Sequence, residues 1–239
     1  MTKITLRNIL NSLTIRMLEG RLVKEQLALK SLHYNLRIVG WDSFTLFPDG
    51  HAANATFLYL LFKIYHLIKP VNLLELGSGQ STLLTSKYIE EQEKAKAIVL
   101  EHNKKWYELF KNRLVSSNRF EYVYSPLESI KIGKGNYLWY NTKIFEKQEV
   151  KFNLIIIDGP VGVRRNSRIG ILKYIPQILD QNKFIILLDD TERRGEKDTI
   201  KKIKKTLKKH SINYSVFHRY GIKKQTCICS PNLDYMEHI

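Results

Sequence analysis

Residues 73–82 read Leu73-Leu74-Glu75-Leu76-Gly77-Ser78-Gly79-Gln80-Ser81-Thr82, and this stretch decides the fold. An apolar run ends in a carboxylate, passes a glycine-rich turn and enters a helix start. Glycines let the backbone approach a ligand closely, and the helix N-terminus behind the turn offers free N–H groups. The acid before the glycines argues against bare phosphates. It suits a ligand that carries an ammonium or hydroxyl donors.

A second apolar run, Ala97-Ile98-Val99-Leu100, ends in Glu101 some way beyond the turn. An acid at the end of the second strand of a doubly wound sheet is placed to accept hydrogen bonds from ribose hydroxyls. With these features in this order, residues 50–230 resemble the class I S-adenosylmethionine-dependent methyltransferases. That family places E-x-G-x-G after its first strand and an acid after its second. The resemblance implies an α/β fold: a doubly wound, Rossmann-like, mostly parallel sheet of seven strands. It also implies S-adenosylmethionine as cofactor. Glu75, Gly77, Ser78, Gly79 and Ser81 would then surround its amino-acid end, Glu101 its ribose, and His102, Ser125 and Leu127 its adenine. A nicotinamide-dinucleotide enzyme would want a third glycine where Thr82 stands, and no G-K-[ST] follows for a P-loop.

At 239 residues the chain suits one α/β domain, expected over 51–239, with an N-terminal helical extension over 1–50. No apolar run is long enough to span a membrane and no signal-peptide pattern opens the chain. Two cysteines, Cys227 and Cys229, are too few for a disulfide scaffold and are expected as half-buried strand residues on opposite faces. A cytoplasmic location fits. The net charge of +16 points toward nucleic acid, an anionic membrane surface or an acidic glycan. Lysines (27) far outnumber arginines (12), however, which reads as a compositional bias over the whole chain.

Helical spacing over 1–32 carries a possible break at Gly20, and 33–50 is expected to be irregular. The helical segment would pack on the core or on a second subunit as a homodimer. A peripheral membrane contact through Lys3, Arg7, Arg16, Arg21 and Lys24 is the other reading. Further helices are expected at 51–68, 81–92, around Trp106–Leu114, at 166–180 and at 196–210. Strands are expected at 72–76, 96–101, 120–124, 152–157, 183–188, 212–218 and 224–229, the last two as a hairpin. The aromatic-rich residues 128–150 read as an insertion.

Strand four ends in Asp158-Gly159-Pro160-Val161-Gly162 and strand five in Asp189-Asp190. Ligands of open α/β sheets bind beyond the carboxyl ends of the strands, so these acids converge on the edge that holds the glycine turn. Carboxylates brought together need a cation or raised pKa values, and all-oxygen ligation suits Mg²⁺ or Mn²⁺. The arrangement resembles the metal-dependent O-methyltransferases of the catechol and caffeoyl type, with Asp190 in place of their Asn. A shorter likeness, Ile157-Asp158-Gly159-Pro160 with Arg168 and Asp189-Asp190-Thr191, is to plant glucuronoxylan 4-O-methyltransferases. Asp158, Asp189 and Asp190 are thus candidate metal ligands. Alternatively Asp158 acts without metal as base or positioning group, or the acids merely cap local structure. Arg164, Arg165 and Arg168 are candidates to clamp an acidic substrate, and His51, at a helix start, is a candidate general base.

The sequence therefore points to methyl transfer onto a hydroxyl of a small molecule or glycan. The [DN]-P-P-[YFW] motif of amino-methylating nucleic-acid enzymes is missing at 158–161. An RNA methyltransferase or RNA-binding protein using the basic 193–224 region stays open as an alternative. So does a non-catalytic assembly subunit.

Overall fold

A computed structural model describes residues 3–42, 45–47, 53–141, 143–146, 150–161 and 165–239, the side chains of 3–13, 144 and 146 apart. In chain order, α1 (Lys3–Ile38) leads to α2 (Ala55–Lys63), which runs into a π-helical turn at Ile64–Ile68. There follow β1 (Asn72–Leu76), α3 (Gln80–Glu91), β2 (Lys96–Glu101), α4 (Lys104–Lys111) and β3 (Phe120–Tyr124). Next come the hairpin strands β4 (Leu127–Ile132) and β5 (Gly135–Tyr140), then α5 (Lys143–Glu146) and β6 (Leu154–Ile157). A 3₁₀ segment Ser167–Lys173, α6 (Ile175–Ile178), β7 (Ile185–Leu188) and α7 (Arg194–Lys209) precede the hairpin of β8 (Ser215–Tyr220) and β9 (Lys224–Cys229). A 3₁₀ segment, Pro231–His238, closes the chain.

The main sheet has seven strands in the order β3-β2-β1-β6-β7-β9-β8. All pairs are parallel except those that β9 makes with β7 and β8. The apolar runs explain why. Along β6 and β7, Leu154, Ile156, Ile185 and Leu187 enter one core, while Ile155, Ile157, Ile186 and Leu188 enter the other. Side chains alternate faces along a strand, so a run apolar at every position needs cover on both sides. The first face is covered by α2, α3 and the second half of α1, through Phe57, Leu61, Leu84, Leu32 and Leu36. The second is covered by α6, α7 and the β4–β5 hairpin, through Ile175, Ile203, Leu207 and Trp139. Each such fully buried side chain contributes roughly 1.5–3 kcal/mol.

Four expectations change. No break occurs at Gly20, and α1 continues through 33–38, because Ala28, Leu32 and Leu36 recur at helical spacing against the core. The segment 166–180 forms 3₁₀ and short α pieces rather than one helix. Gly170 lies under the Trp139 ring so closely that a side chain there would collide with it, and Pro176 interrupts the donor series. The insertion is a two-stranded antiparallel sheet. Cys227 and Cys229 are both fully buried, two residues apart on the same face of β9.

Glu25 fastens α1 to the domain. Its buried carboxylate accepts from Asn54 Nδ2 (2.6 Å), Thr56 N (3.2 Å), Thr56 Oγ1 (2.8 Å) and Ile222 N (3.2 Å). Gly221 packs against the same carboxylate, with no room for a Cβ. Glu25→Ala strands four donors at once, one of them fully buried, so it is expected to cost about 2–3 kcal/mol. Thermal unfolding should register this as a fall of roughly 5–10 °C.

Candidate active site

β1 and β6 end side by side. The Leu76 carbonyl accepts both Asp158 N (3.0 Å) and Gly159 N (2.6 Å), and Gly77 N donates to Leu100 O (2.9 Å). Gly77 turns away with φ +90°, and a Cβ there would stand 2.8 Å from Gly159 N and 2.9 Å from Gly159 Cα. Both the left-handed torsion and the close approach demand glycine at Gly77. Gly79 differs: its φ of 175° is ordinary extended backbone, and a Cβ would meet no atom within 4 Å. The fold itself does not require glycine there.

Glu75 has no exposed surface. Its Oε1 accepts from Ser81 Oγ (2.7 Å) and Thr82 Oγ1 (2.9 Å), and its Oε2 from Thr85 Oγ1 (2.6 Å). Thr82 Oγ1 in turn accepts Gly79 N at 2.9 Å. The carboxylate therefore faces the first turns of α3 and holds the helix start under the glycine turn. Burial pushes the Glu75 pKa up to about 7, against the opposing pull of the three hydroxyl bonds.

Glu101, at the end of β2, is the second anchor. Its Oε2 accepts from Ser78 N and Ser78 Oγ, each at 2.9 Å, and its Oε1 from Asn103 N at 2.6 Å. His102 Nδ1 lies 3.2 Å from the same Oε1. Burial pulls the Glu101 pKa up, but the bonds from His102, Asn103 and Ser78 outweigh it and hold it below the usual range. Trp106 Nε1 donates to Ser78 O (2.7 Å), closing a ring of contacts around the turn. Ser125, just past β3, is buried and accepts Asn141 N at 3.0 Å, while Leu127 opens β4 and is half-buried.

The three aspartates meet: one carboxylate oxygen from each of Asp158, Asp189 and Asp190 lies within 4.8 Å of the others. Asp190 takes the left-handed conformation, φ +57°. Arg168, only 2% exposed, is buried among them. Its Nη2 donates to Asp158 O (2.7 Å), Asp158 Oδ1 (3.1 Å) and Asp190 Oδ2 (3.1 Å), and its Nη1 to Asp189 O (2.7 Å). Arg193 Nη1 reaches Asp190 Oδ2 at 3.0 Å. Lys223 Nζ stands 3.6 Å from Asp189 Oδ2 and 3.5 Å from Asp190 Oδ1. Gln225 Nε2 donates to Asp189 Oδ1 at 2.9 Å. Burial, with Asp158 and Asp190 adding to it, pushes Asp189 up to about 7. The spacing alone would suit one divalent ion. The donor set does not, because the oxygens that would ligate it already face a guanidinium, an ammonium and an amide.

Of the sequence candidates, Asp158, Asp189, Asp190 and Arg168 come together. Arg165 does not join them: it is exposed and pairs with Asp198 of α7. His51 and Arg164 lie outside the described residues. Tyr140 was not singled out. It is fully buried beside Gly159, its hydroxyl meets no partner among the described residues, and its ring stands edge-on to His102 at 6.0 Å. The aromatic run of the insertion was its only signal. Lys223 and Gln225 were missed because nothing local marks a hairpin residue as facing three distant acids.

No family model matches the chain, and no curated protein matches it in sequence. Solved structures do match its fold. Precorrin-6y C5,15-methyltransferase from Geobacter metallireducens superposes with a TM-score of 0.53 at 11% identity, over 79% of this chain and 94% of its own. The O-methyltransferase from Bacillus cereus, in complex with S-adenosylhomocysteine, gives 0.52 at 12%, over 88% and 99%. The O-methyltransferase TomG from Streptomyces achromogenes, in complex with S-adenosylmethionine, gives 0.51 at 10%, over 85% and 89%. The chain shares the Rossmann-like fold of these methyltransferases.

Because burial raises Glu75 from 4.5 to about 7, ionising it opposes folding. The penalty is absent below the unfolded value, grows as pH rises between the two values and is complete above about 7. Glu75→Gln removes it. The variant should gain on the wild type across that window by about 3 kcal/mol, in urea unfolding at a series of pH values. Parallel pH profiles would contradict the assignment.

Proposed function

We propose that this chain binds S-adenosylmethionine and transfers its methyl group to an oxygen, on a hydroxyl of a small molecule or glycan. The observation that carries the proposal is the Gly77–Gly79 turn with Glu101 beside it, at the carboxyl ends of adjacent parallel strands. A ligand with an amino-acid end and a ribose matches that pair of anchors. The glycine turn and the α3 N-terminus would receive the amino-acid end. Glu101 would exchange its bond to the Ser78 hydroxyl for bonds to ribose hydroxyls. The two O-methyltransferase neighbours bound to the cofactor or its demethylated product support the reading. Among the described residues no helix is long and apolar enough to cross a membrane.

Bound S-adenosylmethionine would supply an activated methyl group. The protein then has to align the acceptor oxygen and take its proton. Asp158 is the acid placed to do so: its side chain is 26% exposed, against 0% for Asp189 and 5% for Asp190. Burial raises its pKa; Arg168 opposes that rise, and Asp190 reinforces it. A carboxylate so raised is a better proton acceptor near neutral pH than a solvated one. Arg168 fixes its Oδ1 and main chain, and so fixes the direction of attack. The buried Tyr140 hydroxyl, beside Gly159, is the nearby donor for the acceptor or cofactor.

Calorimetric titration with S-adenosylhomocysteine tests the first half: no measurable binding by the folded chain would overturn the proposal. Gly79→Val should keep the wild-type unfolding temperature, because no protein atom crowds that position, and lose the ligand. Asp158→Asn tests the second half. It should retain S-adenosylhomocysteine binding and lose about 10²–10⁴-fold in methyl transfer, measured on a panel of phenolic and sugar hydroxyls. Undiminished transfer by that variant would remove Asp158 from the chemistry.

A further inference from the structure

We propose that Lys223 is a built-in counter-cation of the acceptor site, taking the place that a divalent metal would otherwise hold among Asp158, Asp189 and Asp190. The inference deepens the acceptor-side reading above, but its test reads metal binding and does not depend on methyl transfer.

The argument begins with charge. Three carboxylates share one buried corner, and like charges at such separations cannot all ionise without compensation. The chain brings three cations of its own: Arg168 inside the corner, Arg193 at its rim and Lys223 across it. Their positions divide the work. Arg168 takes Asp158 Oδ1 and Asp190 Oδ2, and Arg193 shares the latter oxygen. That leaves Asp189 Oδ2 and Asp190 Oδ1, both buried and without a hydrogen bond among the described residues. Lys223 Nζ stands 3.6 and 3.5 Å from these two atoms. One ammonium therefore faces both of the oxygens that the two guanidinium groups leave uncompensated.

The backbone holds this lysine from both sides. Ile222 N donates to Glu25 Oε2 of α1 (3.2 Å), and Lys224 N donates to Glu192 Oε2 (2.9 Å). The Lys224 carbonyl accepts from Thr191 N (2.8 Å) and Thr191 Oγ1 (3.0 Å). Burial disfavours the charged form of Lys223, and the three aspartates outweigh it, so the side chain keeps its proton more firmly than a free lysine. Two further contacts tie the site to α1: Gln225 Nε2 donates to both Asp189 Oδ1 and Asn54 Oδ1 (2.9 Å each), and Asn54 Nδ2 donates to Glu25. The N-terminal helix thus helps to set the cation and the acid it compensates.

The test is Mn²⁺ binding to the full chain, followed by electron paramagnetic resonance with and without S-adenosylhomocysteine. The measurement is made at a pH of about 8, above the value of about 7 to which burial lifts Asp189. The wild type is expected to show no bound Mn²⁺ at millimolar metal. Lys223→Ala should acquire a site at least on the order of tenfold tighter, because removing a unit charge a few ångströms from two carboxylates leaves them undercompensated. Lys223→Arg keeps the charge and should stay metal-free. Asp189→Ala placed on Lys223→Ala should abolish the acquired site, which locates it at the cluster. Tight Mn²⁺ binding by the wild type, or equal affinities in wild type and Lys223→Ala with both chains folded by circular dichroism, would overturn the proposal.

Discussion

The contact between the ends of β1 and β6 sets the geometry of everything around it. One carbonyl, Leu76 O, takes two backbone donors from the neighbouring strand's exit, Asp158 N and Gly159 N. That arrangement brings two glycines, Gly77 and Gly159, within a distance at which neither could carry a Cβ. The chain can then leave β1 in a left-handed turn over Glu101 while Asp158 leaves β6 toward the other acids. Were the two strand ends further apart, the turn and the acid cluster would be separate sites. Here the turn is adjacent to Asp158 by construction.

Around that contact the site manages a large amount of buried negative charge. Glu75, Glu101, Asp158, Asp189 and Asp190 crowd one sheet edge, and each is compensated differently. Glu75 has only hydroxyl donors, so its burial penalty survives as a raised pKa. Glu101 has two backbone N–H donors, a hydroxyl and His102, which is enough to reverse the sign. The aspartates rely on side-chain cations and are therefore sensitive to any substitution among them. In a low-dielectric corner an unpaired charge is costly, so removing one partner does more harm than removing both.

The N-terminal helix enters this economy through a single side chain. The second half of α1 packs on the domain, while Ile15, Met17, Leu18 and Leu22 are exposed. Glu25 sits at the junction and binds the start of α2 and the β8–β9 turn together. The antiparallel hairpin at the sheet's far edge is thereby pinned so that its tip returns toward the strand ends. That return puts Lys223 and Gln225 opposite β7.

Much of this was legible in the sequence because it depends on near neighbours. The apolar runs that end in Glu75, Glu101, Asp158 and Asp189 marked four of the parallel strands. The glycines after Glu75 marked the turn, and the alternation rule then required helices on both faces. Helix continuity through Gly20 and the broken helix at 167–178 were not legible. They turn on what packs against each segment: Leu32 and Leu36 on the core in one case, the Trp139 ring over Gly170 in the other. The cation set was hidden for the same reason. Arg168 lies ten residues from Asp158, close enough to suspect, whereas Lys223 approaches Asp189 only because β9 pairs antiparallel with β7. Local sequence specifies where a carboxylate leaves a strand. Which charge it meets there is decided by strand order, and strand order is a property of the folded whole.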